Sequence, residues 1–367
     1  MAFFGVTLEI IDTVRHHPNA DRLDLATMKR MTFQFVVGRD QWKVGDSVLY
    51  FPVDSLLPAG IVEKLGLVGR LAGSDKNRIK TIKLRGEVSQ GLVADPSSLL
   101  DDAWMIWDSD SCTHQVRSPH FDGFKSLMDH LGVTKYEPPI KLTGVGNLLL
   151  MPDGVGVYDI EGADRYPGVV ELLMDQPVCI TEKLEGTNLW VRRLPDGTIQ
   201  VGQRNYLIEE VPAEGKANMY WETVRTDGVL PILEEAAAKF PGQTVAFRGE
   251  LLGQSIQGYY KGMKRNVIRF FDVQVDGQYL SFEAFVALIP PEHRVPVLFA
   301  GSLREWLGSR TIQETSNGPS VFSPGQKREG IVIRPLVEQQ VIDEVPGFRG
   351  RLLIKMRSPE YLAGSEN

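Results

Sequence analysis

The sequence is poor in cysteine, since Cys112 and Cys179 are its only two among 367 residues. Two thiols can form neither a framework of several disulfides nor a zinc site of four cysteines, which excludes both kinds of stapled domain. No apolar run reaches the roughly 18 residues that a membrane-spanning helix needs. Residues 1–5 lack the basic start and small-residue cleavage site of a signal peptide. We therefore expect a cytoplasmic protein with no membrane partner.

An excess of positive charge is also missing, because the formal net charge is −7 at pH 7. This argues against permanent coating of nucleic acid. Phosphate attraction is nevertheless local, with a Debye length of about 10 Å at ordinary salt, so clustered cations still bind. Two clusters occur, one of Lys76, Arg78, Lys80, Lys83 and Arg85, and one of Lys261, Lys264, Arg265 and Arg269. They favour transient engagement of nucleic acid, with solvated loops as the alternative.

The length favours two domains, and we place the boundary between residues 1–140 and 141–367. The first part contains short alternating strands, predicted at 6–10, 32–37, 47–51, 79–84 and 90–93. About five strands within a hundred residues predict a small barrel of the OB type. Phe33, Phe35 and Trp42 are its candidates for stacking on bases, with core packing as the alternative.

The region after this barrel is less informative, and it is followed by alternating strands and helices. A helix is predicted within 118–132 and an extended linker at 134–142. The turn Pro195-Asp196-Gly197 joins two strands, 188–194 and 198–203, into a hairpin. Helices are predicted at 230–240, 283–289 and 303–307. The fold class is therefore α+β, with antiparallel sheets flanked by helices in the second domain.

Lys183 lies where an apolar strand breaks into the loop Leu184-Glu185-Gly186. An amine in such a position can act as a nucleophile on phosphorus once it is deprotonated. The pattern Lys-x-(Asp/Glu)-Gly alone is weak, because chance produces it about 0.2 times in a chain of this length. Its alternative reading is a solvated turn lysine, so the other segments decide.

Five further segments follow Lys183 in a set order. They begin with Gln203-Arg204-Asn205 and continue with Ala246-Phe247-Arg248-Gly249-Glu250-Leu251-Leu252-Gly253, Ile268-Arg269-Phe270-Phe271-Asp272-Val273, Arg328-Glu329-Gly330-Ile331-Val332-Ile333-Arg334 and, after these, Leu353-Ile354-Lys355-Met356-Arg357-Ser358. The ordered set resembles the covalent nucleotidyltransferase superfamily of polynucleotide ligases and RNA capping enzymes. An ordered set is far more specific than any one of its members.

The resemblance implies a role for each matching residue. Lys183 would be the nucleophile, and Glu185, Glu250 and Glu329 would hold Mg²⁺ or Mn²⁺ directly or through its waters. Lys355 and Arg357, two apart on a strand and so on one face, would grip the α-phosphate. This sequence departs from the pattern with Glu185 in place of the usual aspartate and Arg357 in place of a frequent lysine.

Three further residues would bind the rest of the nucleotide. Phe271 would stack on the base, with Phe270 as the alternative. Glu182 would offer backbone or side-chain acceptors to the base edge, and Arg204 would reach the ribose or a substrate phosphate. A core phenylalanine is the competing reading for Phe271.

The domain order resembles the RNA ligase 5 family, because an OB-like domain comes first and only ten residues follow Arg357. This resemblance implies an ATP-dependent enzyme that seals 3′-OH to 5′-phosphate ends through lysyl-AMP. Its partners would be RNA or a nicked duplex with RNA at the 3′-OH end, its state a monomer and its role RNA repair. The alternatives are a DNA ligase, an RNA capping guanylyltransferase, or a nonenzymatic RNA-binding OB protein.

Overall fold

The alternating segments of the first hundred residues, predicted to form a small barrel, include a five-stranded antiparallel sheet. The computed structural model describes residues 4–100, 104–108, 113–117, 124–137, 148–210, 218–253, 256, 259–260, 262–342, 344–345 and 347–364. Across the sheet the strands run in the order Met31–Gly38, Leu23–Met28, Thr7–His16, Ser47–Phe51 and Leu92–Ala94. Every neighbouring pair in it is antiparallel.

The alternation of side chains along these strands determines which of the proposed stacking residues are buried. Phe35 is 1% exposed and packs in the core, because it points to the same face as Val37 two residues on. Phe33 packs on Tyr50, with the ring centroids 5.6 Å apart. Trp42 is half-buried. Phe35 is therefore a core residue, and only Phe33 and Trp42 keep partly exposed rings.

Smaller elements surround this sheet. They comprise the strands Ser55–Leu56, Ile82–Leu84, Glu87–Ser89, Trp104–Asp108, Thr113–Arg117, Phe124–Ser126 and Thr134–Lys135 and the short helices Ala59–Lys64, Pro96–Leu99 and Leu127–His130. The strand predicted at 79–84 is shorter, and that at 90–93 begins later because Gly91 adopts a φ of +94°. A Cβ there would lie 2.4 Å from the Tyr50 ring, so only glycine fits.

The helix predicted within 118–132 is present but short, at Leu127–His130. Phe124 lies in a strand that pairs with Thr113–Arg117. The helix begins only at Leu127, because the Ser126 side chain accepts the N–H of Asp129 and caps it. Residues 118–123, Cys112 and most of the predicted linker lie outside the described residues. The boundary at 140/141 falls there too and stays a prediction.

The second half of the chain contains two larger sheets. The seven-stranded sheet has the order Leu148–Leu150, Tyr206–Ile208, Ile199–Gln203, Thr187–Arg193, Val245–Leu252, Val267–Val275 and Gln278–Tyr279. The five-stranded sheet has the order Glu161–Gly162, Ile354–Arg357, Gly330–Pro335, Pro177–Lys183 and Val297–Ser302. The first pair of this second sheet is parallel, and its other pairs are antiparallel. The predicted α+β architecture is confirmed.

Helices flank these sheets. They are Pro167–Leu173, Met219–Thr226, Val229–Ala238, Phe282–Leu288, Leu303–Leu307, Ile312–Ser316 and Pro359–Gly364, with a 3₁₀ turn at Pro291–His293 and a small strand pair, Gln340–Val341 with Gly350–Arg351. Each large sheet has its own apolar core. In the part of the chain that the structure describes, no helix has both the length and the apolar character for a membrane span.

A polar contact joins the N-terminal sheet to the second half. The backbone N–H of Thr32, at the start of strand Met31–Gly38, donates to the carbonyl of Asp164 at 2.7 Å. The hydroxyl of Thr32 accepts a hydrogen bond of 2.8 Å from Gln313. Burial raises the pKa of Asp164 to about 6, although Thr32 and Arg357 oppose the shift. The tip of one hairpin thus reaches the neighbourhood of the Lys355 strand.

Candidate active site

A cleft between the two large sheets brings most of the predicted site residues together. Lys183 and Lys355 enter it from the five-stranded sheet, and Glu250 and Phe271 enter from the seven-stranded sheet. Glu182 and Arg204 also line it. The cleft therefore collects predicted site residues that are as distant in sequence as Glu182 and Lys355.

Lys183 ends its strand facing a carboxylate. Its Nζ donates to Oε2 of Glu329 at 2.6 Å, and only a quarter of the lysine side chain is exposed. The other oxygen of Glu329 lies 3.5 Å from Nε of Arg357. Strand pairing produces this arrangement, because Lys183 is opposite Gly330 and Gly330 is opposite Arg357. A Cβ at Gly330 would lie 2.1 Å from the carbonyl of Met356, so only glycine lets these strands approach.

The loop after Lys183 is held by a second close approach. A Cβ at Gly186 would lie 2.6 Å from Cγ of Glu250, which explains the glycine of this motif. The backbone N–H of Glu185 donates to the hydroxyl of Tyr260 at 3.0 Å. The carboxylate of Glu185 accepts a hydrogen bond from the hydroxyl of Tyr361. Glu185 is thus fixed at both ends.

The three predicted metal carboxylates repel one another. Burial, with the charges of Glu329 and Glu185, raises the pKa of Glu250 to about 8 despite the attraction of Lys183. Burial and the charge of Glu329 also raise the pKa of Glu185. Among the described residues the carboxylate of Glu250 has no hydrogen-bond or ion-pair partner. The carboxylates of Glu185, Glu250 and Glu329 therefore form a local concentration of negative charge in the site.

This charge fits a divalent cation held through water. Among the described residues no three His, Cys, Asp or Glu side chains are close enough to enclose a metal by themselves. Hard cations such as Mg²⁺ keep several waters and take one or two carboxylates with substrate phosphates. The donor set is all oxygen, as such ions prefer. The predicted carboxylates thus fit the water-mediated form of the metal site.

Lys355 and Arg357 form the cationic wall of the cleft. Their strand alternates buried and half-buried positions, which places both on one face as predicted. Burial, together with the charges of Lys183 and Arg357, lowers the pKa of Lys355 to about 8. Nε of Arg357 is buried without a hydrogen-bond partner. Both groups are therefore available to an anion between the sheets.

Phe271, and not Phe270, faces the cleft. Phe270 is 0% exposed in the core, whereas Phe271 is half-buried and lines the cleft. A β-bulge causes the difference, because Gly249 pairs with Phe270 and Arg248 with Asp272, which leaves Phe271 without a partner. The ring of Phe271 packs on Tyr158 with centroids 4.8 Å apart. The choice left open by the sequence is thus decided.

The two other nucleotide-binding candidates are partly engaged within the protein. Oε2 of Glu182 accepts the backbone N–H groups of Val321 and Phe322 at 2.8 and 3.2 Å. Its carboxylate therefore fastens a loop beside the cleft, which leaves its backbone as the better candidate for contact with a base. Arg204 forms an ion pair of 2.6 Å with Asp159 and remains partly exposed.

A buried ionic network behind Phe271 was missed in the sequence reasoning. Asp272 is 0% exposed and contacts Arg334 at 2.7 Å, Arg351 at 2.8 Å and the hydroxyl of Tyr158 at 2.5 Å. Burial disfavours the Asp272 carboxylate, but the two arginines outweigh it and hold its pKa below the ordinary value. Arg334 also donates to the carbonyl of Phe271. Asp272 and Arg334 stand within recognised motifs, yet only their contact shows that they orient the aromatic residue.

Two largely antiparallel sheets with a lysine, three carboxylates and a cationic pair around one cleft are the arrangement expected of the covalent nucleotidyltransferase class. Residues 176–356 match the model of the RNA ligase family, and residues 5–96 match a model of an OB-fold domain. The chain therefore has an N-terminal OB-fold domain followed by a domain of the RNA ligase family.

Solved structures share this fold over nearly the full length. A point mutant of Naegleria gruberi RNA ligase with ATP and Mn is 24% identical with a TM-score of 0.75, covering 97% of this chain and 98% of that one. The same ligase with PPi is 24% identical with a TM-score of 0.74, covering 97% of both chains. Another mutant, with AMP and Mn, is 22% identical with a TM-score of 0.74 at the same coverage. No curated protein was found to match.

Proposed function

We propose that this protein is an ATP-dependent RNA ligase of the RNA ligase 5 family that joins 3′-OH and 5′-phosphate ends through a lysyl-AMP intermediate. The observation that carries the proposal is the placement of Lys183 beside Glu329 and on the same cleft wall as Lys355. The similar fold of the Naegleria gruberi RNA ligase structures, which contain ATP, AMP and Mn, supports it.

In the first step Nζ of Lys183 attacks the α-phosphorus of ATP. A phosphoramidate bond forms, the bond to the pyrophosphate oxygen breaks, and the amine loses a proton. Glu329 holds the amine at the cleft wall, while Lys355 and Arg357 balance the charge that grows on the phosphate oxygens. A divalent cation held by Glu185, Glu250 and Glu329 through its waters would supply further charge neutralisation.

The remaining nucleotide would lie along the cleft away from this wall. Phe271, supported by Tyr158, offers an aromatic surface to the adenine base. Glu182 and Arg204 line the same cleft; the backbone of Glu182 would contact the base edge, and Arg204 would reach the ribose or a phosphate. Fixed rings and cations position the α-phosphate before reaction, which can lower the barrier by several kcal/mol.

In the second step AMP passes from Lys183 to the RNA 5′-phosphate, and in the third the 3′-OH attacks that phosphate and expels AMP. We propose that the OB-fold domain binds the strand that supplies the 3′-OH. Lys80, Lys83 and Arg85 are exposed on it, whereas Arg78 is engaged by Asp54. The second cluster is less free, because Arg265 and Arg269 lie 3.6 and 3.8 Å from Asp227, and Lys261 lies outside the described residues.

The finer features of this proposal concern substrate, state and location. We propose a nicked duplex with RNA at the 3′-OH end as the preferred substrate, a monomer as the active state and the cytoplasm as the location. Duplex binding would hold both ends near reaction geometry, at about 3 to 3.5 Å. Sealing assays on nicked RNA and DNA duplexes distinguish an RNA ligase from a DNA ligase.

The central experiment is incubation of the protein with Mg²⁺ and α-labelled ATP or GTP. A labelled covalent adduct is expected with ATP and not with GTP, and Lys183→Ala should abolish it. Lys239→Ala is the matched control, because Lys239 is exposed at the end of a helix away from the cleft. An adduct that persists in Lys183→Ala would show that another residue is the nucleophile, and a GTP adduct would favour a capping enzyme.

A further inference from the structure

Glu185 carries one methylene more than the aspartate that related enzymes usually have after the nucleophilic lysine. A glutamate reaches farther and has one more rotatable bond, so its carboxylate needs more restraint to stay in one position. The structure supplies this restraint from a distant part of the chain. The hydroxyl of Tyr361 donates to Oε2 of Glu185 across 176 positions of sequence.

Tyr361 belongs to the helix Pro359–Gly364 and is 7% exposed. Its ring packs edge-on against Tyr259, with centroids 5.4 Å apart. The guanidinium of Arg357 lies 5.8 Å from its ring centroid, on the side of the phosphate-binding strand. The tyrosine therefore lies between an aromatic wall and the cationic wall of the cleft.

The helix is held by contacts that do not involve Glu185. The hydroxyl of Ser358 donates to Oδ1 of Asn317 at 2.7 Å. The backbone N–H of Glu360 donates to the same Oδ1 of Asn317 at 3.1 Å. Lys327 forms an ion pair of 3.0 Å with Glu360. Contacts other than the Glu185 hydrogen bond therefore hold the helix in place, and Tyr361 extends from it to the carboxylate of Glu185.

Among the described residues, only one carboxylate oxygen of Glu185 accepts a hydrogen bond. Among the described residues Oε1 accepts no hydrogen bond, while Lys183 and Glu329 influence the carboxylate electrostatically. The backbone N–H of Glu185 is held by Tyr260. With its backbone and one oxygen fixed, the carboxylate has one oxygen left for the reacting groups.

We propose that Tyr361 is a positioning residue that aims the longer Glu185 carboxylate into the cleft and so allows glutamate to replace aspartate in this ligase. The proposal rests on the function proposed above. It predicts that the hydroxyl of Tyr361 matters only while residue 185 is a glutamate. An aspartate at 185 has the length common in the family and is too short to reach the hydroxyl from the same backbone position.

The test is a double-mutant cycle of Tyr361→Phe and Glu185→Asp with two readouts. The first is the rate of Lys183 adenylylation by α-labelled ATP over a range of Mg²⁺ concentrations. Tyr361→Phe should slow it about tenfold at low Mg²⁺, as expected for loss of a hydrogen bond to a charged group. In the Glu185→Asp background the same substitution should change the rate less than twofold.

The second readout needs neither ATP nor metal. In EDTA, Tyr361→Phe should lower the midpoint of urea unfolding in the unmodified protein and leave it unchanged in Glu185→Asp, because the bond exists only in the former. Coupling in stability without coupling in rate would show a merely structural contact and overturn the proposal. Equal effects of Tyr361→Phe in both backgrounds would overturn it as well.

Tyr259→Phe is the matched control. Tyr259 packs on Tyr361, but its hydroxyl donates to the carbonyl of Lys327 and not to Glu185. Tyr259→Phe should therefore change the adenylylation rate by the same factor whether residue 185 is glutamate or aspartate. A factor that depends on residue 185 would contradict the assignment of Tyr361. Absence of any adduct in the unmodified protein would instead refute the proposed function, and the inference with it.

Discussion

Glu250→Gln is expected to make the protein more stable above neutral pH while it removes adenylylation. Glu250 lies in the cleft with a pKa raised from 4.5 to about 8, first by burial and then by the charges of Glu329 and Glu185. Glutamine has nearly the same shape and no charge. The substitution therefore removes an unfavourable carboxylate without creating a cavity.

The magnitude follows from proton linkage. Between pH 4.5 and pH 8 the folded state binds more protons at Glu250 than the unfolded state, so the free energy of unfolding decreases as the pH rises. The destabilisation by Glu250 is absent below the pKa that this residue has in the unfolded state, and it is complete above the pKa that it has in the folded state. From pH 5 to pH 8 the difference is on the order of 3 kcal/mol for this shift. Burial and the charge of Glu329 also raise the pKa of Glu185, so Glu185 contributes a change of the same sign.

The assay is urea unfolding of both proteins at several pH values between 5 and 8 in EDTA. The stability of Glu250→Gln relative to the unmodified protein should grow steadily across this window. Added Mg²⁺ should stabilise the unmodified protein more than the variant at pH 8, because only the former has the ionised carboxylate. Adenylylation should fall by about a hundredfold or more, as for loss of an electrostatic partner of the transition state.

Glu235→Gln is the control for this experiment, because Glu235 is exposed on the helix Val229–Ala238 and lies outside the cleft. Its unfolding curves should parallel those of the unmodified protein. Parallel curves for Glu250→Gln as well would refute the argument that Glu250 is held at a raised pKa. Undiminished adenylylation in that variant would show that Glu250 has no part in the reaction.

Three further outcomes are expected. The KM for ATP should rise above pH 8, because Lys355 has a pKa of about 8 and loses its charge there. Lys355→Arg should flatten that rise. A pH-independent KM in the unmodified protein would contradict phosphate binding by Lys355. Phe271→Ala should raise the KM for ATP roughly tenfold with little loss of stability, whereas Phe270→Ala should destabilise the fold by about 3 to 5 kcal/mol, as measured by kinetics and urea unfolding. A protein starting near residue 145 should still form the lysyl adduct but should no longer seal nicked duplexes, and efficient sealing by it would show that the OB-fold domain does not position the substrate.

The sequence by itself determined the elements that depend on local patterns. Period-two alternation placed Lys355 and Arg357 on one face, and the turn Pro195-Asp196-Gly197 defined the hairpin that follows Lys183. The order of the motifs identified Lys183 and the three glutamates of one cleft. Such features can be derived from sequence because a strand of known direction and spacing fixes which side chains share a face.

Only the tertiary structure decided the features that depend on register and on distant contacts. A bulge in the strand Val267–Val275 turned Phe271 into the cleft, and alternation alone does not reveal where an extra residue is inserted. The ion pairs of Asp272 with Arg334 and Arg351 form only because separate sheets pack together. Likewise Glu185 and Tyr361 carry no mutual signal in sequence, because their hydrogen bond arises from the position of a helix that is held by other residues.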